Sequence, residues 1–256
     1  MPNKNKTTGA FQYGAYGAHP VVLTNYENNI NSTFTLAHEL GHLMHSYYTN
    51  KTQPYDKAQI GIFLAEVAST VNEMILGRYL LANAKTKEEK LFYLDHLMSE
   101  IYGTLFTQAK FAEFEYEIHK AYENGEDTTP EAINELYQNI SKKYYGKNIE
   151  PTESTKYGWS AIPHFYNSFY VYKYATGIVA ALAISTKILN GEKDAVENYK
   201  KFLSSGSSLP PVETLKIAGV DLTSEKTFEE AFKFISSLLD EWKSLESNKT
   251  QEVSRI

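Results

Sequence analysis

Apolar positions along most of this chain recur at three- and four-residue spacing, the period of helices that bury one face. The opening stretch departs from that rhythm. Gly9 to Tyr26 is rich in glycine and aromatic residues and ends in an apolar run, Val21-Val22-Leu23. That pattern predicts one or two short strands about a turn near Gly17 to Pro20. Beyond it, Asn31 or Ser32 is placed to cap a first helix, and a second is expected from about Asp56 to Ala84. Thr86 and Glu89 stand at capping-box spacing before a third, which Gly125 should stop after Asn124.

Thr129-Pro130 opens a fourth helix, with proline in the first turn, and Gly146 closes it. A loop to Pro163 and a tyrosine-rich helix to Asn190-Gly191 follow. Short helices around Val196–Leu203 and Pro211–Ala218 precede a last one opened by Thr227 and Glu230. The expected fold is therefore mainly α, with a small β-hairpin near the N-terminus. It reads as a single domain over 1–256, with a strand region at 1–30, a helical body at 31–246 and a frayed polar tail at 247–256.

Composition narrows the partners. A net charge of −6 leaves no basic surplus to neutralise phosphates, which argues against a nucleic-acid partner. Without cysteine there is neither a disulfide framework nor a thiolate metal ligand, which suits a reducing compartment. The first fourteen residues carry no apolar core of a signal peptide, and the longest apolar run, Ile178 to Ile184, is too short to span a bilayer. A cytoplasmic protein without a membrane partner is expected.

The strongest chemistry lies in His38-Glu39-Leu40-Gly41-His42, an HExxH pattern. Residues four apart share a helix face, so both imidazoles can address one metal ion. Glu39 lies beside that face, where it can take a proton from a water activated at the metal. A catalytic zinc needs a third protein ligand. The metzincin continuation HExxHxxGxxH fails, because His45 and Tyr48 stand where Gly and His are required. Glu66 lies on the next helix, but Thr70 stands where the thermolysin pattern has Asp. Glu66 is nevertheless a carboxylate inside an apolar stretch, costly to bury unless paired or bound to a metal. It is the expected third ligand. Glu73, two turns further on the same face, is a candidate acceptor for a ligand imidazole N–H, and the alternative for both carboxylates is a solvated helix edge. His45 is off the ligand direction by about 60° and reads either as a packed histidine or as one that supports the ligands from behind.

A second cluster gathers His164, Tyr166, Tyr170, Tyr172 and Tyr174 within eleven residues. On a helix, Tyr166, Tyr170 and Tyr174 would form one stripe, with His164 at its N-terminal turn. Phenol and imidazole can donate to the oxyanion formed during amide hydrolysis, although aromatics at this spacing equally suit core packing.

HELGHLMHS followed by FLAEVASTVNE resembles the oligoendopeptidase F branch of the M3 zinc metallopeptidases. The likeness continues through GAFQYGAYGAHPVVLTNY, IPHFYNSFYVYKYATG and LKIAGVD, and so covers essentially the whole chain. It implies a zincin-like helical catalytic lobe, one zinc per chain held by His38, His42 and Glu66, Glu39 as general base, and short oligopeptides as substrates. It also implies that His164, with Tyr170 first and then Tyr174 and Tyr166, binds substrate and stabilises the transition state. Family members are typically more than twice this long, with an N-terminal helical half completing the channel. That half is expected to be absent here, so the alternatives to an active peptidase are a fragment that binds zinc and peptide without turnover, and one half of a split enzyme completed by another chain.

Overall fold

The computed structural model describes residues 3–6 and 9–253, with side chains to 247. Strands β1 (Ala10–Tyr13) and β2 (Val21–Thr24) pair antiparallel, Ala10 opposite Thr24 and Tyr13 opposite Val21. Both strands lie against helix α1 (Ile30–Thr52). The expected hairpin is present, but the cap of α1 is Asn29, whose side-chain oxygen accepts the Ser32 N–H at 2.8 Å. Asn28 is left-handed (φ 57°) and turns the chain early, so Asn31 and Ser32 already lie in the first helical turn.

Helix α2 (Ile62–Asn83) begins later than expected. Residues from Asp56 contribute only a single 3-10 turn, Tyr55–Lys57, because the backbone at Ala58 leaves the helical path and Gly61 is extended. Helix α3 (Lys87–Ile101) starts at the expected capping box, with the Glu89 N–H donating to Thr86 Oγ1 at 3.1 Å and the Thr86 N–H returning to Glu89 at 3.4 Å. It continues through a π-helical turn, Tyr102–Phe106, into α4 (Thr107–Glu123), which ends at Asn124 before left-handed Gly125. Thr129 caps α5 (Pro130–Tyr145), and Gly146 (φ 70°) terminates it.

The next segment differs most from expectation. The loop contains 3-10 turns at Glu153–Ala161 and Pro163–Tyr166, and α6 (Tyr172–Leu189) starts nine residues after Pro163. Phe169 is left-handed (φ 54°), which no helix accommodates. Tyr166 and Tyr170 therefore lie outside α6, and the stripe linking them to Tyr174 does not form. Helices α7 (Ala195–Leu203), α8 (Pro211–Ile217) and α9 (Glu225–Val253) follow. Backbone of the expected frayed tail is helical as far as Val253, and 254–256 lie outside the described residues.

The chain divides into two compact units, Met1–Ser99 with Gly177–Ile256, and Glu100–Thr176. In the first, Leu64, Val67 and Val71 of α2 pack with Ala180 and Ile184 of α6, Phe202 of α7 and Leu215 of α8. Burying each large apolar side chain contributes about 1.5–3 kcal/mol, and these contacts hold one side of α2 in the core. In the second, Phe114, Tyr137 and Ile140 form the core, with the Phe114 and Tyr137 rings edge-to-face at 5.0 Å. No helix among the described residues is long and apolar enough to cross a membrane.

Candidate metal centre

The His38 and His42 side chains leave α1 one turn apart, and Glu66 leaves α2 beside them. Their donor atoms converge: His38 Nε2 and His42 Nε2 are 3.1 Å apart, and Glu66 Oε2 lies 3.4 Å from the first and 3.6 Å from the second. Among the described residues this is the one group of three metal-ligating side chains whose donors lie within 4.8 Å of one another. Its chemistry, two imidazole nitrogens and a carboxylate, suits a zinc-type ion with an open position.

Close approach of the two helices makes the convergence possible. A Cβ built on Gly41 would lie 2.5 Å from the Ala68 carbonyl oxygen and 2.6 Å from Ser69 Cα. Glycine is thus required where α1 crosses α2, two residues from Glu66. Asn72 Nδ2 on α2 ties the crossing by donating to the Ala37 carbonyl at 3.2 Å. The buried Tyr199 hydroxyl on α7 donates to the Ala68 carbonyl at 3.4 Å.

Each imidazole is oriented from behind. His38 Nδ1–H donates to Glu73 Oε1 at 2.9 Å, which leaves a lone pair on Nε2. Glu73 is buried and lies behind the His38 ring. The His42 ring donates to the Ala65 backbone carbonyl. Ser69 Oγ donates to Glu66 Oε2 at 3.1 Å and steadies the third donor.

The same contacts tune proton affinity. Burial alone would lower the His38 pKa, but the Glu73 hydrogen bond and the charges of Glu73, Glu66 and Glu39 outweigh it and raise it. At His42 burial prevails, and the pKa is lowered despite Glu66 and the Ala65 carbonyl. Glu39 is 7 % exposed. Burial, reinforced by Glu66, raises its pKa against the opposing effects of His38 and a hydrogen bond from the Gln12 backbone N–H on β1. A cleft of about 660 Å³ runs along His42, lined by Gln12, Tyr16, Asn50, Tyr55 and Ala65.

Other sequence candidates take different places. His45 is 1 % exposed, and its ring packs 5.3 Å from that of Phe202, as a core histidine. In the second unit, His164, Tyr170 and Tyr174 form a ring cluster with centroid separations of 5.6–5.9 Å. Tyr166 is 89 % exposed and borders a separate apolar pocket with Trp159 and Phe165. Sequence reasoning missed Gly41, Gln12 and Ala65. Gly41 had a readable signal, an isolated glycine inside a helix, whereas the other two act through backbone groups that carry no residue signature.

Comparison with known proteins agrees with this architecture. The chain is 48% identical over 243 residues to oligopeptidase PepF of Bacillus subtilis (strain 168), covering 95% of the chain and 36% of that protein. The crystal structure of oligoendopeptidase-F from Enterococcus faecium superposes with a TM-score of 0.77 at 42% identity, covering 86% of this chain and 40% of that one. A Chlamydophila abortus structure gives a TM-score of 0.88 at 45% identity, over 95% of this chain and 41% of that one. The chain thus spans roughly two fifths of the length of these relatives. The sequence profile described as peptidase family M3 matches residues 1–234, and the chain belongs to peptidase family M3.

Proposed function

We propose that this chain is the metal-bearing portion of an endopeptidase that hydrolyses short oligopeptides. The observation that carries the reading is the convergence of His38 Nε2, His42 Nε2 and Glu66 Oε2, with Glu73 and Ala65 fixing the imidazoles from behind. The similarity to oligopeptidase PepF and oligoendopeptidase-F supports the substrate class. Zinc is the ion that two imidazoles and one carboxylate suit best, one per chain, and when bound it would polarise the scissile carbonyl and lower the pKa of water.

The protein's own groups do the rest. Glu39 takes a proton from the attacking water as the C–O bond forms, then delivers it to the leaving amine as the C–N bond breaks. Its raised pKa suits a group that must both accept and return a proton. His164 and Tyr170, with Tyr174 and then Tyr166 as further candidates, donate hydrogen bonds to the oxyanion. The absence of cysteine suits a cytoplasmic setting, and neither nucleic acid nor membrane is a partner in this reading.

The test is cleavage of quenched fluorescent peptides with and without chelator, alongside Glu39→Gln. We expect chelator-sensitive cleavage, and a Glu39→Gln protein that retains metal and loses nearly all turnover. Near-normal turnover by that variant, or indifference to chelator, overturns the reading. A second reading is favoured by the share of its relatives that this chain spans. In it, the chain binds metal and peptide but turns over only when a further segment, in cis or from a partner chain, completes the channel. Cleavage that appears only on adding the N-terminal portion of a relative selects that reading.

A further inference from the structure

Phe169 combines two unusual features. It is a bulky residue in the left-handed region (φ 54°), a conformation that L side chains with large Cβ substituents rarely adopt. Its backbone N–H donates to Glu115 Oε1 on α4 at 2.6 Å, a short, charge-assisted hydrogen bond. Glu115 is 4 % exposed. A carboxylate is costly to bury, so one placed here needs a reason. One turn further along α4, the His119 ring packs on the Phe169 ring with centroids 4.8 Å apart. Helix α4 therefore grips this residue twice, by backbone and by side chain.

The gripped residue immediately precedes Tyr170. The turn from Asn167 to Val171 separates the 3-10 turn carrying His164 from the helix carrying Tyr174. Its conformation sets the packing of the three rings, His164 on Tyr170 at 5.7 Å, His164 on Tyr174 at 5.9 Å and Tyr170 on Tyr174 at 5.6 Å. Were Phe169 to relax to a right-handed or extended backbone, the direction of the chain entering Tyr170 would change and that packing would be lost.

We propose that Glu115 is a positioning residue, which locks Phe169 in its left-handed conformation and so holds the packed arrangement of His164, Tyr170 and Tyr174. The inference rests on the reading of His164 and Tyr170 as hydrogen-bond donors in peptide hydrolysis. Glu115 itself touches no reacting atom. It acts through the Phe169 amide, and the same helix that supplies Phe114 to the core of this unit supplies the clamp.

The test uses Glu115→Leu, which removes the acceptor while keeping a side chain of similar size beside Phe114, Trp159 and Phe165. Its companions are Glu115→Gln, which keeps an acceptor oxygen, and Glu115→Leu/Phe169→Gly, which makes the left-handed backbone accessible without a clamp. The first readout is the NMR signal of the His164 ring, assigned with His164→Gln, and it requires no turnover. We expect Glu115→Leu to shift and broaden that signal, Glu115→Gln to leave it near the wild-type position, and the double variant to move it back towards wild type. In the peptide assay, loss of a charge-assisted hydrogen bond should lower kcat by about tenfold or more with KM within about twofold, and Glu115→Gln should stay within about threefold of wild type.

A folded Glu115→Leu protein with an unmoved His164 signal overturns the proposal, as does a double variant that recovers nothing. Should Glu115→Leu not fold, hydrogen exchange of the Phe169 amide in the wild-type protein decides. Protection of about a hundredfold or more supports the clamp, and exchange at the unprotected rate overturns it. A wild-type chain without metal-dependent cleavage, both alone and with the N-terminal portion of a relative added, defeats the functional reading only, because the NMR and exchange measurements still score the clamp.

Discussion

Gly41→Ala sets two physical effects against each other, and their sum can be worked from the structure. In an open helix the substitution is favourable by about 1 kcal/mol, since alanine has the higher helix propensity. Here the new methyl would lie 2.5 Å from the Ala68 carbonyl oxygen, 2.6 Å from Ser69 Cα and 2.9 Å from the Ala68 carbonyl carbon. All three are backbone atoms of α2, so no side chain can swing aside. Reaching ordinary contact at 3.4 Å requires α1 and α2 to separate by about 0.9 Å at this point. Overpacking of this kind costs about 1–3 kcal/mol, and subtracting the propensity gain leaves a net loss of up to about 2 kcal/mol. For a chain of this size that corresponds to a Tm lower by up to about 8 °C.

The larger effect falls on the metal centre. Metal–ligand distances tolerate about 0.2 Å, and Glu66 lies two residues from the displaced Ala68 carbonyl. Affinity for zinc should therefore fall by about tenfold or more. The assays are a thermal melt and a competition titration against a chromogenic chelator. Gly177→Ala is the control, because a Cβ there meets nothing within 4 Å and the substitution should be neutral or slightly stabilising. A Gly41→Ala protein with a raised Tm and unchanged zinc affinity would refute the reasoning, since helix propensity would then outweigh the α1–α2 contact.

Two further predictions concern groups behind the site. Glu73→Ala removes the acceptor of the His38 Nδ1–H bond at 2.9 Å and should weaken zinc binding by about 10–100-fold, read by the same competition titration, while the fold is retained. His45 is held neutral, with its pKa pushed down to about 3 by burial. Because the unfolded chain protonates this ring near pH 6.5 and the folded one does so only near 3, the unfolded state binds the extra proton between those values. Its contribution to stability is therefore complete above about pH 6.5 and is lost as pH falls towards 3, at up to about 1.4 kcal/mol per pH unit. Urea unfolding of wild type and His45→Leu between pH 4 and 7 should show a shallower pH slope in the variant, and equal slopes would contradict the assignment.

Local patterns were legible wherever the deciding interaction lies within a few residues. The capping box of Thr86 and Glu89, the Thr129-Pro130 start and the Gly146 stop each depend on contacts within one turn, and each stands where the sequence places it. Boundaries set by longer reach were not legible. Asn29 caps α1 because Asn28 turns the chain, and helix α6 begins only at Tyr172 because Glu115 takes the N–H of Phe169, fifty-four positions after it. That contact also removed the tyrosine stripe, replacing it with a three-ring cluster that includes His164 and leaves Tyr166 exposed.

The metal centre divides along the same line. From sequence alone came the shared face of His38 and His42, the position of Glu66 within an apolar helical stretch, and Glu73 two turns beyond it on the same face. Tertiary structure alone decided how near the two helices pass. Gly41 permits that approach, Gln12 and Ala65 contribute backbone groups, and Glu73 meets His38 across the interface. Periodicity fixes directions within one helix, but the distance between helices depends on the atoms that separate them. At this crossing the deciding feature is the side chain that Gly41 does not have.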